Sequence, residues 1–429
     1  MEKELREQKL KEIQKSEPYM SGIRINYDGQ NRAFNAYRIP LEYLIYNKYN
    51  GRVGSEVKSY ERQYRELNPE NKEDKKVIEE FLWNSYEKRN KRTEKNLVEM
   101  GQQVYGIVTS DGIIIDGNRR ASLLNRIYKN RESWQKQNHN IDACKYFIAI
   151  ILPENAGEKA VQKLETTYQL GADEKLDYNP TEKYLKCKDL KRIGFSEIDI
   201  ANMMGENKST IEKWLGIMDL MDDYLDYLEY SGIYTRLEKR EGPMVDLYSY
   251  LKSYDKGTKS VTWDYDEMDV TDLKTISFDY IRAQYEGKEF RSIAKPSKKD
   301  GIFCNEKIWE DFREYHFNST TEIEEESVED VMKKNPDANM SKLLTTRDKD
   351  WKKKVKNQLK NNLKQSESKI DNIKQANKPV ELLNRAKNSL LAINGSSLKG
   401  NSEEALLVKE IENILKDFKD VLPEGTKSL

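Results

Sequence analysis

The chain has 429 residues, enough for roughly two to four domains, but only 37% are hydrophobic while 35% are charged. That balance excludes a single compact unit dominated by core and points to solvated helices and linkers. Lys plus Arg number 74 and Asp plus Glu 75, so any basic binding face must be local, and three cysteines with two histidines leave a zinc centre or a His-dependent triad starved of ligands.

The opening MEKELREQKLKEIQKSE has no apolar run, and no uninterrupted apolar stretch approaches the ~20 residues that span a bilayer, so a soluble, cytoplasmic protein without membrane contact is expected. Cys144, Cys187 and Cys304 lie far apart and read as small buried residues of a reducing compartment.

Residues 1–18 read as a charged, exposed arm. A first domain is expected over 19–152. It begins with a short strand at Tyr37–Leu41 and the loop Asn50-Gly51-Arg52. Val77, Ile78, Phe81, Leu82 and Tyr86 have the spacing of one helical face, and Thr93 is expected to cap a second helix that stops at Gly101. In YGIVTSDGIIIDGNRRASLLNRI, residues 105–127, Ile107 and Val108 should pair with Ile113–Ile115 across a Ser110-Asp111-Gly112 turn. Asp116-Gly117-Asn118 then feeds a helix, and Phe147–Leu152 is a further strand.

From Pro153 strand signals fade. An all-α module is expected over 153–235, with a helix starting at Pro180, and a mainly helical extension over 236–317. There Pro243 opens one helix, Thr271 caps another, and Trp263, Phe290, Phe303 and Trp309 should pack on their neighbours. Residues 318–345, with the acidic block Glu322–Asp330 and Asn335-Pro336-Asp337, read as a linker. Over 346–429, Trp351, Val355, Leu359, Leu363, Ile370 and Ile373 mark one helix, Pro379 starts another, and a last helix runs to Leu422.

Gly117-Asn118-Arg119-Arg120 is the strongest local signal. Glycine admits an anion close to the backbone, the first N–H groups of a helix lack partners, and adjacent guanidiniums bind phosphate bidentately. The alternative is a plain turn whose arginines are solvated or paired with acidic neighbours. In FSEIDIANMMGENKSTIEKWLGIMDL, residues 195–220, Ala201, Gly205 and Ile211 have helix-turn-helix spacing and Ser196 can cap the first helix. Lys208, Ser209, Thr210 and Lys213 would then reach DNA, although Glu206 and Glu212 among them also suit packing or protein contact.

The order IPL, Asn50-Gly51-Arg52, Gly101 and IVTSDGIIIDGNRRASLL resembles the N-terminal domain of ParB-type partition proteins, which share a fold with sulfiredoxins. The resemblance implies an α+β phosphate-binding domain followed by an all-α helix-turn-helix module and a C-terminal helical region. It also implies a nucleoside triphosphate with Mg²⁺, held by Arg52, Gly117, Asn118, Arg119 and Arg120. Glu165 falls where that family carries a metal-supporting Glu-Asn-x-x-Arg stretch, with Thr166 and Gln169 replacing its Asn and Arg. Asn118 stands where ParB proteins have Glu and sulfiredoxins a reactive cysteine, so reductase chemistry is not implied, and the base of the nucleotide stays open.

The function implied is a DNA-binding, nucleoid-associated homodimer with a nucleotide-dependent clamp and slow hydrolysis. The alternatives are a ParB-like nuclease or kinase, and a scaffold or regulator in a plasmid, prophage or anti-phage system whose C-terminal helices bind a protein partner. Lys352, Lys353, Lys354, Lys356, Lys360 and Lys364 could track phosphates, but the apolar positions between them better suit dimerisation.

Overall fold

In the computed structural model the described residues are 1–27, 29–154, 156–170, 179–261, 263–297, 301–321, 323–335, 340–395, 400 and 402–421. The chain divides into two compact units, Met1–Leu363 and Lys364–Leu429.

The first unit begins with helix α1 (Lys3–Gln14) and a long hairpin, β1 (Met20–Tyr27) and β2 (Gln30–Pro40), then the short β3 (Ile45–Tyr46). Three helices follow, α2 (Gly54–Gln63), α3 (Lys72–Asn84) and α4 (Glu87–Met100), before the hairpin β4 (Gly106–Val108) and β5 (Ile113–Asp116). Helix α5 (Asn118–Lys129), the short α6 (Arg131–Lys136) and β6 (Tyr146–Ile151) complete a mixed six-stranded sheet in the order β1-β2-β6-β4-β5-β3. Pairing is antiparallel except for β3 with β5 and β4 with β6.

Alternation along the strands gives the sheet two apolar faces. Ile39, Val108, Ile114, Phe147 and Ala149 lie in one core with Leu10 of α1, Ile78 and Leu82 of α3, and Leu124 of α5. Ile25, Ala36, Ile107, Ile115, Ile148 and Ile150 lie in a second core with Leu164 of α7 (Glu158–Leu170).

The expected hairpin forms, with Val108 opposite Ile114 and Thr109 N donating to Ile113 O at 2.9 Å. Other expectations need correction. Residues 1–18 are not a free arm, because Leu10 is buried and Arg6 docks on the Asp111 carbonyl and on Glu70 at 2.9 Å. Strand β2 starts at Gln30, before Tyr37, since its outer half pairs with β1 instead of the apolar centre. Helix α4 starts at Glu87, and Thr93 sits inside it with its hydroxyl donating to the Arg89 carbonyl.

Beyond β6 every described element is helical: after α7 come α8 (Pro180–Arg192), α9 (Glu197–Met204), α10 (Lys208–Tyr227), α11 (Glu241–Asp255), α12 (Glu267–Arg282), α13 (Gly287–Ala294), α14 (Glu306–Thr321) and α15 (Val328–Lys334). Pro180 is in the first turn of α8, as expected. Helix α11 opens at Glu241, two residues before Pro243, and Asp266, not Thr271, caps α12 through a capping box with Asp269. Trp263 donates to the Phe303 carbonyl at 2.9 Å, and Phe303 packs edge-on to Trp309.

The acidic block holds more than linker. Glu325 pairs with the buried Arg282 at 2.9 Å, and Ser327 caps α15; Glu322, Pro336 and Asp337 lie outside the described residues. Helix α16 (Met340–Leu391) carries Pro379 in its interior instead of restarting there. Its Trp351, Val355, Leu359 and Leu363 are buried in the first unit: Arg282 stacks on the Trp351 ring, and the Leu359 carbonyl accepts from Tyr280. The stripe from Trp351 to Leu363 is therefore core and not a free partner face, while in the second unit Ile370 is buried and Ile373 is exposed. In the second unit α17 spans Ser402–Val421, and Leu422, the expected end of the last helix, lies outside the described residues. Among the described residues no helix is long and apolar enough to cross a membrane.

Candidate functional site

Strand β5 hands over to α5 at Gly117, whose φ of 101° is a left-handed conformation that strains any residue with a Cβ. A Cβ there would also stand 2.6 Å from the Phe147 ring. With glycine as N-cap, α5 has no side-chain cap and no acid in its first turn, so no capping side chain meets its first backbone N–H groups at the positive end of the dipole.

The residues after Gly117 divide by role. Asn118 is 2% exposed; its Oδ1 accepts from Asn47 N at 2.9 Å and its Nδ2 donates to Ile114 O at 2.9 Å. This amide ties the loop after β3 to the end of β5, so its expected ligand role gives way to a structural one. Arg120 donates to the carbonyls of Val104 and Tyr105 and pairs with Asp116 at 3.0 Å. The plain-turn alternative thus describes Arg120. Burial pulls its guanidinium below the usual range, Asp116 opposing and the like charge of Arg52 adding. Arg119 is half-buried in the same turn.

Arg52 reaches this point from a loop that folds on itself. The buried Asn50 accepts from Arg52 N at 3.0 Å through its side chain and from Val53 N through its carbonyl, aiming the chain into α2. Glu182 of α8 then caps α2 across the fold, accepting from Ser55 N at 3.2 Å and from the Ser55 hydroxyl. Burial and the neighbouring Glu56 push the Glu182 carboxyl up to about 7. Sequence reasoning missed Glu182, since nothing local announces a cap supplied from 127 positions away.

Glu165 on α7 is wholly buried, with Lys186 Nζ 3.4 Å from one carboxylate oxygen. Burial raises its pKa, against the pull of Lys186 and Asn47. The structure therefore brings together the Asn47–Arg52 loop, the Gly117 turn and Glu165. In this arrangement the counter-charge of Glu165 is the Lys186 ammonium, and among the described residues no three His, Cys, Asp or Glu side chains are grouped as a protein-only metal site. Asp116, which with Glu165 would be the carboxylate pair of the nuclease alternative, is engaged by Arg120.

The other candidate segment is the pair α9–α10. Ser196 and Asp199 form a capping box, Gly205 ends α9 at a φ of 70°, and Asn207 caps α10, accepting from Thr210 N at 2.9 Å. Ala201 and Ile211 are buried together with Cys187 and Leu190 of α8. Lys208, Ser209 and Lys213 are exposed and Thr210 half-buried, but Lys208 pairs with Glu212 at 3.2 Å and both hydroxyls donate to Asn207. Lys213 forms no ion pair among the described residues. Between Pro180 and Tyr227 ten acidic side chains outnumber seven basic ones.

No protein-family model, curated protein or solved structure matches the chain.

Proposed function

We propose that the chain is a nucleotide-responsive DNA-binding protein, in which the Gly117 turn takes the phosphates of a nucleoside triphosphate and α9–α10 is a helix-turn-helix that meets DNA. The observation that carries the first half is convergence. Arg119 belongs to the first turn of α5, and Arg52, from a loop far away in sequence, lies near enough for its charge to act on Arg120 in the same turn, where backbone N–H groups and the helix dipole favour an anion. Helix α8 would relay occupancy, because it contacts both places. Its Glu182 caps α2 and its Lys186 faces Glu165, while its Cys187 and Leu190 pack against Ala201 and Ile211. A nucleotide that binds one arrangement of α8 better than another would shift the population toward it.

The test is calorimetry with each of the four triphosphates, with and without Mg²⁺, on the wild type and on Arg52→Ala/Arg119→Ala. Arg120 is left intact because it holds the Val104–Tyr105 backbone. Micromolar binding lost in the variant supports the site, and no binding by the folded wild type removes it.

A second reading is favoured by the acidic excess around α9–α10, which repels phosphate. Here the pair contacts a protein. A stable hetero-complex lost on Lys213→Glu, with no duplex bound at low salt, would establish it. Self-association finds a surface on α17, where Leu407, Ile411, Ile414, Phe418 and Val421 repeat with heptad spacing and Leu407, Ile414, Phe418 and Val421 are exposed. Light scattering on Ile414→Asp/Phe418→Asp should show a dimer reduced to monomer; a wild type that is monomeric at tens of micromolar would exclude it.

A further inference from the structure

At the opposite end of α5 from the Gly117 turn, a cleft of about 580 Å³ opens between α3, α5 and the start of β6. That size lies within the range of small-molecule sites. Five lysines line it: Lys72, Lys75 and Lys76 from α3, Lys129 from α5, and Lys145 from the segment before β6.

Only two carboxylates, Glu42 and Glu79, share the lining. Glu79 is committed, accepting from the Tyr46 hydroxyl at 3.1 Å, Asn125 at 2.5 Å and Lys129 at 2.8 Å. Lys76 is held by Glu73 at 3.0 Å. Lys72, Lys75 and Lys145 form no ion pair among the described residues.

Lys75 is the unusual member. Its ammonium is half-buried, donates to the Leu44 carbonyl at 3.2 Å and lies 5.2 Å from the Tyr46 ring centre. Burial and the neighbouring Lys129 hold it below the usual lysine range, with Glu79 only partly compensating. A cation kept partly desolvated beside other cations is stabilised by an anion that enters the cleft. The C-terminal end of α5 carries the negative end of its dipole, so the helix gives an anion no help here and the lysines must hold it.

We propose that this cleft is a second anion site, for a small molecule carrying two adjacent phosphoryl groups, with Lys72, Lys75 and Lys145 as its main ligands. Pro40, Leu41 and Tyr146 form the wall on which the uncharged body of such a ligand would rest. Concavity and an apolar wall favour a small molecule over a nucleic-acid backbone, which tracks open basic grooves. The site is independent of the Gly117 turn and stands whether or not that turn binds nucleotide.

The experiment is calorimetry with inorganic pyrophosphate on the full chain at low salt. The variants are Lys72→Gln/Lys145→Gln, whose side chains are exposed and carry no ion pair, then Lys75→Gln, and Arg52→Ala/Arg119→Ala as the contrast. Binding should weaken by about tenfold or more in each lysine variant, persist in the arginine variant and fade with added salt. Binding indifferent to the lysine changes, or lost only with the arginines, overturns the proposal, as does no binding by the folded wild type. An oligonucleotide that competes for the lysines more tightly than pyrophosphate would assign them to nucleic acid and overturn it as well.

Discussion

At two of the left-handed glycines that lead into a helix, Gly117 and Gly205, an asparagine follows closely. At the first, Asn118 is buried and spends its amide on Asn47, 71 positions away, and on Ile114. At the second, Asn207 is exposed and caps only its own helix. Similar local chemistry therefore serves tertiary fixation in one place and local capping in the other, and burial decides between them. Exposure at the second turn leaves Lys213 available to a partner, whereas at the first the residues beside the turn are already largely committed.

The largest effect should come from Asn118→Ala, which removes the partner of the buried Ile114 carbonyl and of the part-buried Asn47 N–H. At about 1–3 kcal/mol for each unsatisfied group, urea unfolding should show a loss of about 3 kcal/mol or more. A loss under about 1 kcal/mol would erase the contrast between the two turns.

Next is the pH dependence of the seam beside the first turn. Glu182 titrates near 7 when folded and in the ordinary carboxylate range when unfolded, so between those values the folded chain keeps a proton that the unfolded chain has released. Stability should thus be greatest in mild acid and fall as pH rises through that window, by at most about 3 kcal/mol. Glu56 and Glu165, both raised by burial, act in the same sense. Glu182→Gln should flatten the denaturation profile between pH 5 and 7.5, values on the order of that window; a slope as steep as the wild type's would assign the effect elsewhere.

At the second turn, Asn207→Ala should cost about 1 kcal/mol, the usual value of a lost N-cap, and amide hydrogen exchange should show fraying confined to the first turn of α10. The smallest stability change, within about 0.5 kcal/mol, is expected for Lys213→Ala, but its salt dependence of duplex binding should fall by about one counterion if α10 meets DNA. Unchanged affinity and slope would leave that helix to protein contact.

Much of this was legible because it was local. The Ser110-Asp111-Gly112 hairpin, the handover at Gly117 and the Ala201, Gly205, Ile211 spacing follow from turn chemistry and apolar period, and the structure shows each of them. What escaped was non-local. The outer half of β2 has little apolar alternation and exists because β1 pairs with it. Thr93 and Thr271 look like caps, but Tyr86 and Asp266 stand at those helix starts, since cap propensity cannot fix where the first turn forms. The stripe from Trp351 to Leu363 gives the correct helix, while its burial in the first unit depends on Arg282, Tyr280 and Phe312. At the candidate site, Arg52 and the Gly117 turn were visible as motifs. That Asn118 and Arg120 are braces was not, because it is set by which backbone groups lie opposite them.

Phe147 wedges its ring under two glycines: a Cβ would meet it at 2.2 Å from Gly106 and at 2.6 Å from Gly117. Shrinking the ring would release neither position, since the Asp116 carbonyl still blocks Gly106 at 2.7 Å and Gly117 keeps its left-handed φ. In evolutionary terms the constraint runs one way. The aromatic ring can drift to a smaller apolar residue at the cost of a cavity, while either glycine is a dead end, so a lineage that keeps this turn should show an invariant glycine pair, eleven positions apart, above a variable apolar residue.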